Sequence, residues 1–157
     1  MWNYFKYIQV KNQQSVLLIF TGGTISMAEN PATGALYPID FNGLIEYLPE
    51  LKQTGVDIKS IPFDPLIDSS DIDPVFWKKI ALTIEENYAD FDGFVILHGT
   101  DTMAYTASAL SFILENLAKP VILTGSQLPI GMMRSDAKEN LLTAIEIATA
   151  YEDGKAI

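Results

Sequence analysis

Ser15-Val16-Leu17-Leu18-Ile19-Phe20-Thr21-Gly22-Gly23-Thr24 decides the fold. The apolar run reads as a short buried strand, and it stops at two glycines followed by a hydroxyl. A second stretch has the same design: Gly93-Phe94-Val95-Ile96-Leu97 runs into His98-Gly99-Thr100-Asp101-Thr102. In an open α/β sheet, ligands bind at the carboxyl ends of parallel strands. Two such ends can place Thr24 and Thr100–Asp101 around one crevice. A threonine hydroxyl is a poor nucleophile until a base takes its proton, so paired threonines beside a carboxylate suggest acyl transfer.

Working outward, strand and helix patterns alternate. Residues 22–40 read as a loop, with Gly22, Gly23, Pro31, Gly34 and Pro38. Asp40 suits the cap of a short helix through Leu48, which Pro49 ends. Val56 to Ile61 alternates as a half-covered strand does. Ser69-Ser70-Asp71-Ile72 reads as a polar turn. Asp73-Pro74 opens a helix to about Tyr88, with Phe76, Ile80 and Ile84 as its apolar stripe. After the strand at 93–97, Asp101 or Thr102 can cap a helix to about Leu117, with Tyr105, Ala109, Phe112 and Ile113 along one side. Pro120 to Thr124 is another strand and 125–131 a loop. Ser135 or Asp136 begins a last helix to about Tyr151. The expected fold class is α/β: three layers, doubly wound, on a mostly parallel sheet.

The length of 157 residues predicts one domain, 1–157, with 48% apolar residues to fill its core. The chain has no cysteine, which excludes disulfides, thiol catalysis and thiolate metal sites. A net charge of −10 with ten scattered basic residues argues against nucleic acid, since phosphate binding needs clustered Lys and Arg. The aromatic start Met1-Trp2-Asn3-Tyr4-Phe5 leads straight into Lys11-Asn12-Gln13-Gln14, so it does not read as a signal peptide. No apolar run approaches the roughly 20 residues that span a bilayer. A cytoplasmic protein without a membrane partner is expected. At the other end, Gly154 looks like a turn into a further strand. A last helix that covers the sheet edge fits equally well.

The candidate chemistry lies in the polar loops. Gly22 and Gly23 permit a sharp turn that leaves the Thr24 hydroxyl uncrowded. Neither Gly-x-Gly-x-x-Gly nor Gly-Lys-[Ser/Thr] follows, so a phosphate cradle is a weak reading. His98 is the only histidine, and one histidine cannot make a histidine-based metal site. Asp101 can cap the next helix or grip a ligand ammonium. Thr100 offers backbone N–H groups and a hydroxyl near a helix N-terminus, which suits an oxyanion or a polarised water. Asp68-Ser69-Ser70-Asp71 is a third polar loop. A small zwitterion needs hydroxyl donors for its carboxylate and a carboxylate for its amine.

These residues carry a resemblance. Leu18-Ile19-Phe20-Thr21-Gly22-Gly23-Thr24-Ile25-Ser26 is similar to the first signature of the bacterial-type L-asparaginases, and Gly93 through Met103 to the second. Pro65 to Asp71, Ala104 to Phe112 and Thr124 to Pro129 resemble the type I, cytoplasmic branch. The likeness runs from Ser15 to Ala150. It implies catalytic roles for Thr24 as nucleophile on the asparagine side-chain amide, Thr100 as activator of water and oxyanion support, and Asp101 as partner of the α-ammonium. Ser69 would bind the α-carboxylate, Asp68 would line the same pocket, and Ser126 would meet the amide through its backbone. Residues 25–38 would form a mobile lid carrying Tyr37.

The resemblance implies L-asparagine as substrate, with L-glutamine as a second candidate, no cofactor or metal, and a homodimer or homotetramer. Two departures stand out. Tyr37 is the only tyrosine of the lid and abuts Pro38. The family pairs Thr100 and Asp101 with a lysine after the last helix, and Lys155 lies too early to be its equivalent. The smaller C-terminal domain of the family is absent as well, so a fragment is expected. Two other readings are an amidase subunit of a tRNA-dependent amidotransferase, and a non-catalytic amino-acid-binding domain.

Overall fold

In a computed structural model, residues 13–152 and 155–156 are described. Four strands form one parallel sheet in the order β4-β1-β5-β6. They are β1 (Ser15–Phe20), β4 (Asp57–Pro62), β5 (Gly93–Leu97) and β6 (Val121–Thr124). β1 pairs β4 with Ile19 opposite Ile61, and pairs β5 with Ile19 opposite Ile96. The alternation of side chains feeds two cores. Leu17, Ile19, Phe94 and Ile96 pack with Phe76, Ile80 and Ile84 of helix α2 (Pro74–Asn87) and Leu110 of α3 (Met103–Ile113). Val16, Leu18, Phe20, Val95 and Leu97 pack on the other face with Leu44 of α1 (Phe41–Tyr47) and Leu141, Ala144 and Ile145 of α4 (Ala137–Thr149). Each of the large apolar side chains buried here contributes about 1.5–3 kcal/mol. The three-layer parallel architecture expected from the sequence is the one observed.

The strand order makes β1/β5 the switch point. The chain leaves β1 for β4 on one side, then crosses to β5 on the other. Crevices open at such points, outside the carboxyl ends of the strands. The Thr24 and Thr100 motifs follow these two strands.

Caps set the helix starts. Asp40 accepts from Gly43 N–H at 2.8 Å, and Asp73 from Phe76 N–H at 2.9 Å, as their sequences predict. Three expectations fail. Residues 22–40 are not a plain loop: Thr24–Ser26 is a 3-10 turn, and β2 (Met27–Glu29) pairs antiparallel with β3 (Leu36–Pro38) as a hairpin. α3 ends at Ile113 rather than Leu117, with Asn116 in the left-handed region at φ 55°. The side that carries Tyr105 and Phe112 faces outward, 68% and 85% exposed, while Thr106 and Leu110 face the sheet. α4 stops at Thr149, and Tyr151–Glu152 (β7) pairs antiparallel with Lys155–Ala156 (β8). The turn expected at Gly154, and the Met1 to Asn12 stretch, lie outside the described residues.

Candidate active site

The loops that leave the four strands are locked backbone against backbone. Gly23 has φ +82°, and a methyl added there would meet Gly99 N at 2.5 Å and His98 C at 2.7 Å. A methyl on Gly99 would meet Ser69 Oγ at 2.5 Å, and one on Gly125 would meet His98 O at 2.5 Å. Gly22 is pressed in the same way on the Ile67 carbonyl. The loops after β4, β1, β5 and β6 therefore touch in the order of the strands. At Gly22 and Gly23 only glycine permits this approach and the positive φ together.

Hydrogen bonds weld the same seam. Thr21 donates its hydroxyl and its N–H to Leu97 O, at 2.8 and 3.1 Å. Ile67 N–H donates to Thr21 O at 3.0 Å. Thr102 Oγ1 donates to Ser69 O at 2.6 Å, which ties the third polar loop to the second motif. Ser26 is buried and its hydroxyl reaches Gly22 O at 3.1 Å and Gly23 O at 3.0 Å, fixing the turn that carries Thr24.

Within this frame Thr24 is half-buried and opens the 3-10 turn. Thr100 and Asp101 are exposed beside the start of α3. Asp101 does not cap that helix: Thr102 occupies the N-cap position without a side-chain capping bond. The Asp101 carboxylate thus keeps its accepting capacity for another group. Ser69 is buried against Gly99. Asp68 is exposed and accepts from Ser70 N–H at 2.9 Å and Ser70 Oγ at 2.7 Å; these bonds, the hydroxyl's first, hold its carboxyl below the usual range. Its chemistry is that of a turn cap at the rim. Ser126 is buried and its hydroxyl is spent on Leu128 O at 2.7 Å, leaving the backbone as its means of meeting a ligand.

Tyr37 lies on β3, 43% exposed, opposite Ala28. The neighbouring Tyr37 phenol, more than burial, raises the Tyr47 phenol of α1 above its ordinary value.

Several further groups support these loops. His98 is fully buried, with Nδ1 2.7 Å from Gly99 O and Nε2 2.9 Å from Thr106 Oγ1. Trp77 Nε1 donates to the same Thr106 hydroxyl at 3.0 Å. Burial lowers the imidazole below 6.5, against the opposing pull of the Gly99 carbonyl. Asp136 accepts from Gln127 N–H and Leu128 N–H, at 3.0 and 3.2 Å, and so holds the loop after β6; the Gln127 bond leads in keeping its carboxyl low. Among the described residues, no group of three or more His, Cys, Asp or Glu side chains is arranged to hold a metal. No helix there is long and apolar enough to cross a membrane.

Comparison with known proteins agrees with this geometry. The family model described as Asparaginase, N-terminal matches residues 15–156. L-asparaginase 1 of Escherichia coli K12 is 48% identical over 145 residues, which span 88% of this chain and 41% of that protein. A glutamyl-tRNA(Gln) amidotransferase component of Pyrococcus abyssi is 41% identical, over 86% of this chain and 31% of its own length. The solved L-asparaginase I of Vibrio cholerae superposes with a TM-score of 0.80 at 44% identity, covering 92% of this chain and 43% of that one. The chain spans about two fifths of the length of these asparaginases. Its strand order, its two threonine–glycine motifs and this match together establish that the chain belongs to the asparaginase family, as an asparaginase N-terminal domain.

Proposed function

We propose that this chain is the N-terminal part of an L-asparagine amidohydrolase, converting asparagine and water to aspartate and ammonia. The observation that supports the reading is the close approach of Gly23 to His98–Gly99 at the switch point, which brings the Thr24 and Thr100 motifs together. Thr24 Oγ attacks the side-chain amide carbon. Its proton passes to the departing nitrogen, which leaves as ammonia, and an aspartyl ester remains. Water, activated at Thr100, attacks the ester; aspartate leaves and the hydroxyl proton returns to Thr24. Backbone N–H groups near Thr100 stabilise the oxyanion of each step, a contribution typically worth about 3–4 kcal/mol per donor.

Asp101 takes the α-ammonium and Ser69 the α-carboxylate, with Asp68 at the rim and the backbone at Ser126 near the amide. Thr24, Thr100 and Asp101 are the catalytic set. The β2–β3 hairpin with Tyr37 is the lid. No cofactor enters the reaction as written. L-glutamine is a second candidate substrate.

The reaction belongs to the complete enzyme. A lysine from the strand region that follows the last helix in the family would complete the proton path at Thr100; lysine suits this because its pKa moves readily on burial. The complete enzyme is cytoplasmic, and a homodimer or homotetramer; the exposed apolar side chains of α3 support the association. The amidotransferase reading is weaker, because the net charge of −10 gives an RNA little to hold.

The test is ammonia release by the complete enzyme, with asparagine and glutamine compared, beside aspartate binding by the 157-residue chain. Asparagine turnover supports the reading. Aspartate binding with no turnover by the complete enzyme would identify an amino-acid-binding protein instead.

A further inference from the structure

Among the described residues, His98 is the one buried titratable side chain that the proposed reaction does not use. Its hydrogen bonds run in a single direction. The indole Nε1–H of Trp77 can only donate, so Thr106 Oγ1 accepts from it at 3.0 Å. The Gly99 carbonyl can only accept, so His98 Nδ1 carries a proton and donates to it at 2.7 Å. The remaining link is the 2.9 Å approach of Thr106 Oγ1 to Nε2. With a neutral imidazole, the Thr106 hydroxyl donates there, and each group gives one hydrogen and takes one. Complete burial favours that neutral form.

The chain ends on a peptide of the candidate site. A peptide unit is planar and trans, so its C=O and N–H point in opposite directions. Holding the Gly99 carbonyl towards the buried imidazole turns the Thr100 N–H away from the core. Gly99 cannot rotate freely to compensate, because its Cα faces Ser69 Oγ on one side and Gly23 on the other. The tryptophan comes from α2 and the threonine from α3, so two helices on one face of the sheet brace one peptide on its rim.

We propose that His98 is a positioning residue: held by Trp77 and Thr106, it fixes the Gly99 carbonyl and so aims the Thr100 N–H into the crevice. The proposal deepens the amidohydrolase reading and rests on it for its kinetic consequence. The hydrogen-bond chain itself requires no catalysis. Thr106→Val keeps the shape and removes the hydroxyl, leaving Nε2 without a donor. Thr106→Ser keeps the hydroxyl. Trp77→Phe removes only the first donor.

Two measurements test it. The 157-residue chain has a single histidine, so an imidazole nitrogen–proton correlation spectrum at neutral pH shows one ring. The expected spectrum is that of the neutral Nδ1–H form in the parent chain and in Thr106→Ser, with the unprotonated Nε2 resonance displaced in Thr106→Val, where that nitrogen loses its donor. An Nε2–H ring in the parent chain overturns the proposal. In the complete enzyme, kcat for asparagine should fall about 10–100-fold in Thr106→Val, the scale expected for a misplacement of about 1 Å or less. KM should change little, and Thr106→Ser should restore the rate. A Thr106→Val enzyme within twofold of the parent in kcat overturns the proposal. So does equal loss of rate and of melting temperature in Thr106→Val and Thr106→Ser. The tautomer is read without any activity, so if the complete enzyme releases no ammonia the functional reading fails while the spectrum still decides on His98.

Discussion

Replacing Gly23 by alanine tests whether the interlocked loops are what builds the site. Two costs arise. A side chain at φ +82° costs about 1–2 kcal/mol in backbone strain. The methyl also lands 2.5 Å from Gly99 N and 2.7 Å from its Cα, both backbone atoms that cannot swing aside. Ordinary contact between carbon atoms needs about 3.5–4.0 Å, so the two motifs must part by about 1 Å. Overpacking of this kind adds about 1–3 kcal/mol. The chain supplies its own control. Gly55 has a similar positive φ, +71°, with no atom within 4 Å of an added methyl. Gly55→Ala should therefore cost only the strain, about 1–2 kcal/mol, whereas Gly23→Ala should cost about 2–5 kcal/mol. Urea unfolding of both variants of the 157-residue chain, with matched m-values, measures the difference. In the complete enzyme the same 1 Å separation should lower kcat/KM about 100-fold for Gly23→Ala and leave Gly55→Ala unaffected. Equal stability losses at the two glycines would refute the interlock.

Other outcomes follow from the same geometry. Asp101→Asn should weaken asparagine binding far more than binding of an analogue without the α-amine, because charge-assisted hydrogen bonds are roughly twice as strong as neutral ones; equal losses, measured by calorimetry, would remove its ammonium role. His98 is held below its unfolded pKa of 6.5, so its contribution to stability is complete above that pH and declines as pH falls through the folded value. Urea midpoints between pH 7 and pH 5 should show this decline in the parent and less of it in His98→Gln; identical profiles would contradict it. The 157-residue chain should fold cooperatively yet release ammonia far more slowly than the roughly 10 per second of an ordinary enzyme. It should also self-associate through its exposed apolar side chains, and Phe112→Lys should reduce that association in sedimentation.

The strands and most helix starts were legible because both periods were clean. Ser15–Phe20 and Gly93–Leu97 are continuous apolar runs, as strands covered on both faces must be. Asp40 and Asp73 stand where capping chemistry puts them. The hairpin Met27–Pro38 was not legible, because strands of three residues with most side chains in water carry no hydrophobic period. The orientation of α3 was not legible for a different reason. Its apolar residues Tyr105, Phe112 and Ile113 face outward, and the polar Thr106 faces inward because Trp77 and His98 both bond its hydroxyl. A hydroxyl recruited by partners 29 and 8 residues away leaves no trace in a hydropathy pattern. The motif threonines were legible from glycine-flanked strand ends. The supports Ser26, Trp77 and Asp136 were not, since they act through backbone and side-chain bonds that exist only once the loops meet.

The central claim is that Thr24 forms the covalent intermediate. Acid quenching of the complete enzyme during asparagine turnover, followed by proteolysis and mass spectrometry, tests it most directly. An aspartyl ester should appear on the peptide containing Thr24 and be absent from Thr24→Ala, whose ammonia release should fall by several orders of magnitude while aspartate binding persists. An ester on another residue, or a Thr24→Ala enzyme within tenfold of the parent rate, would contradict the account.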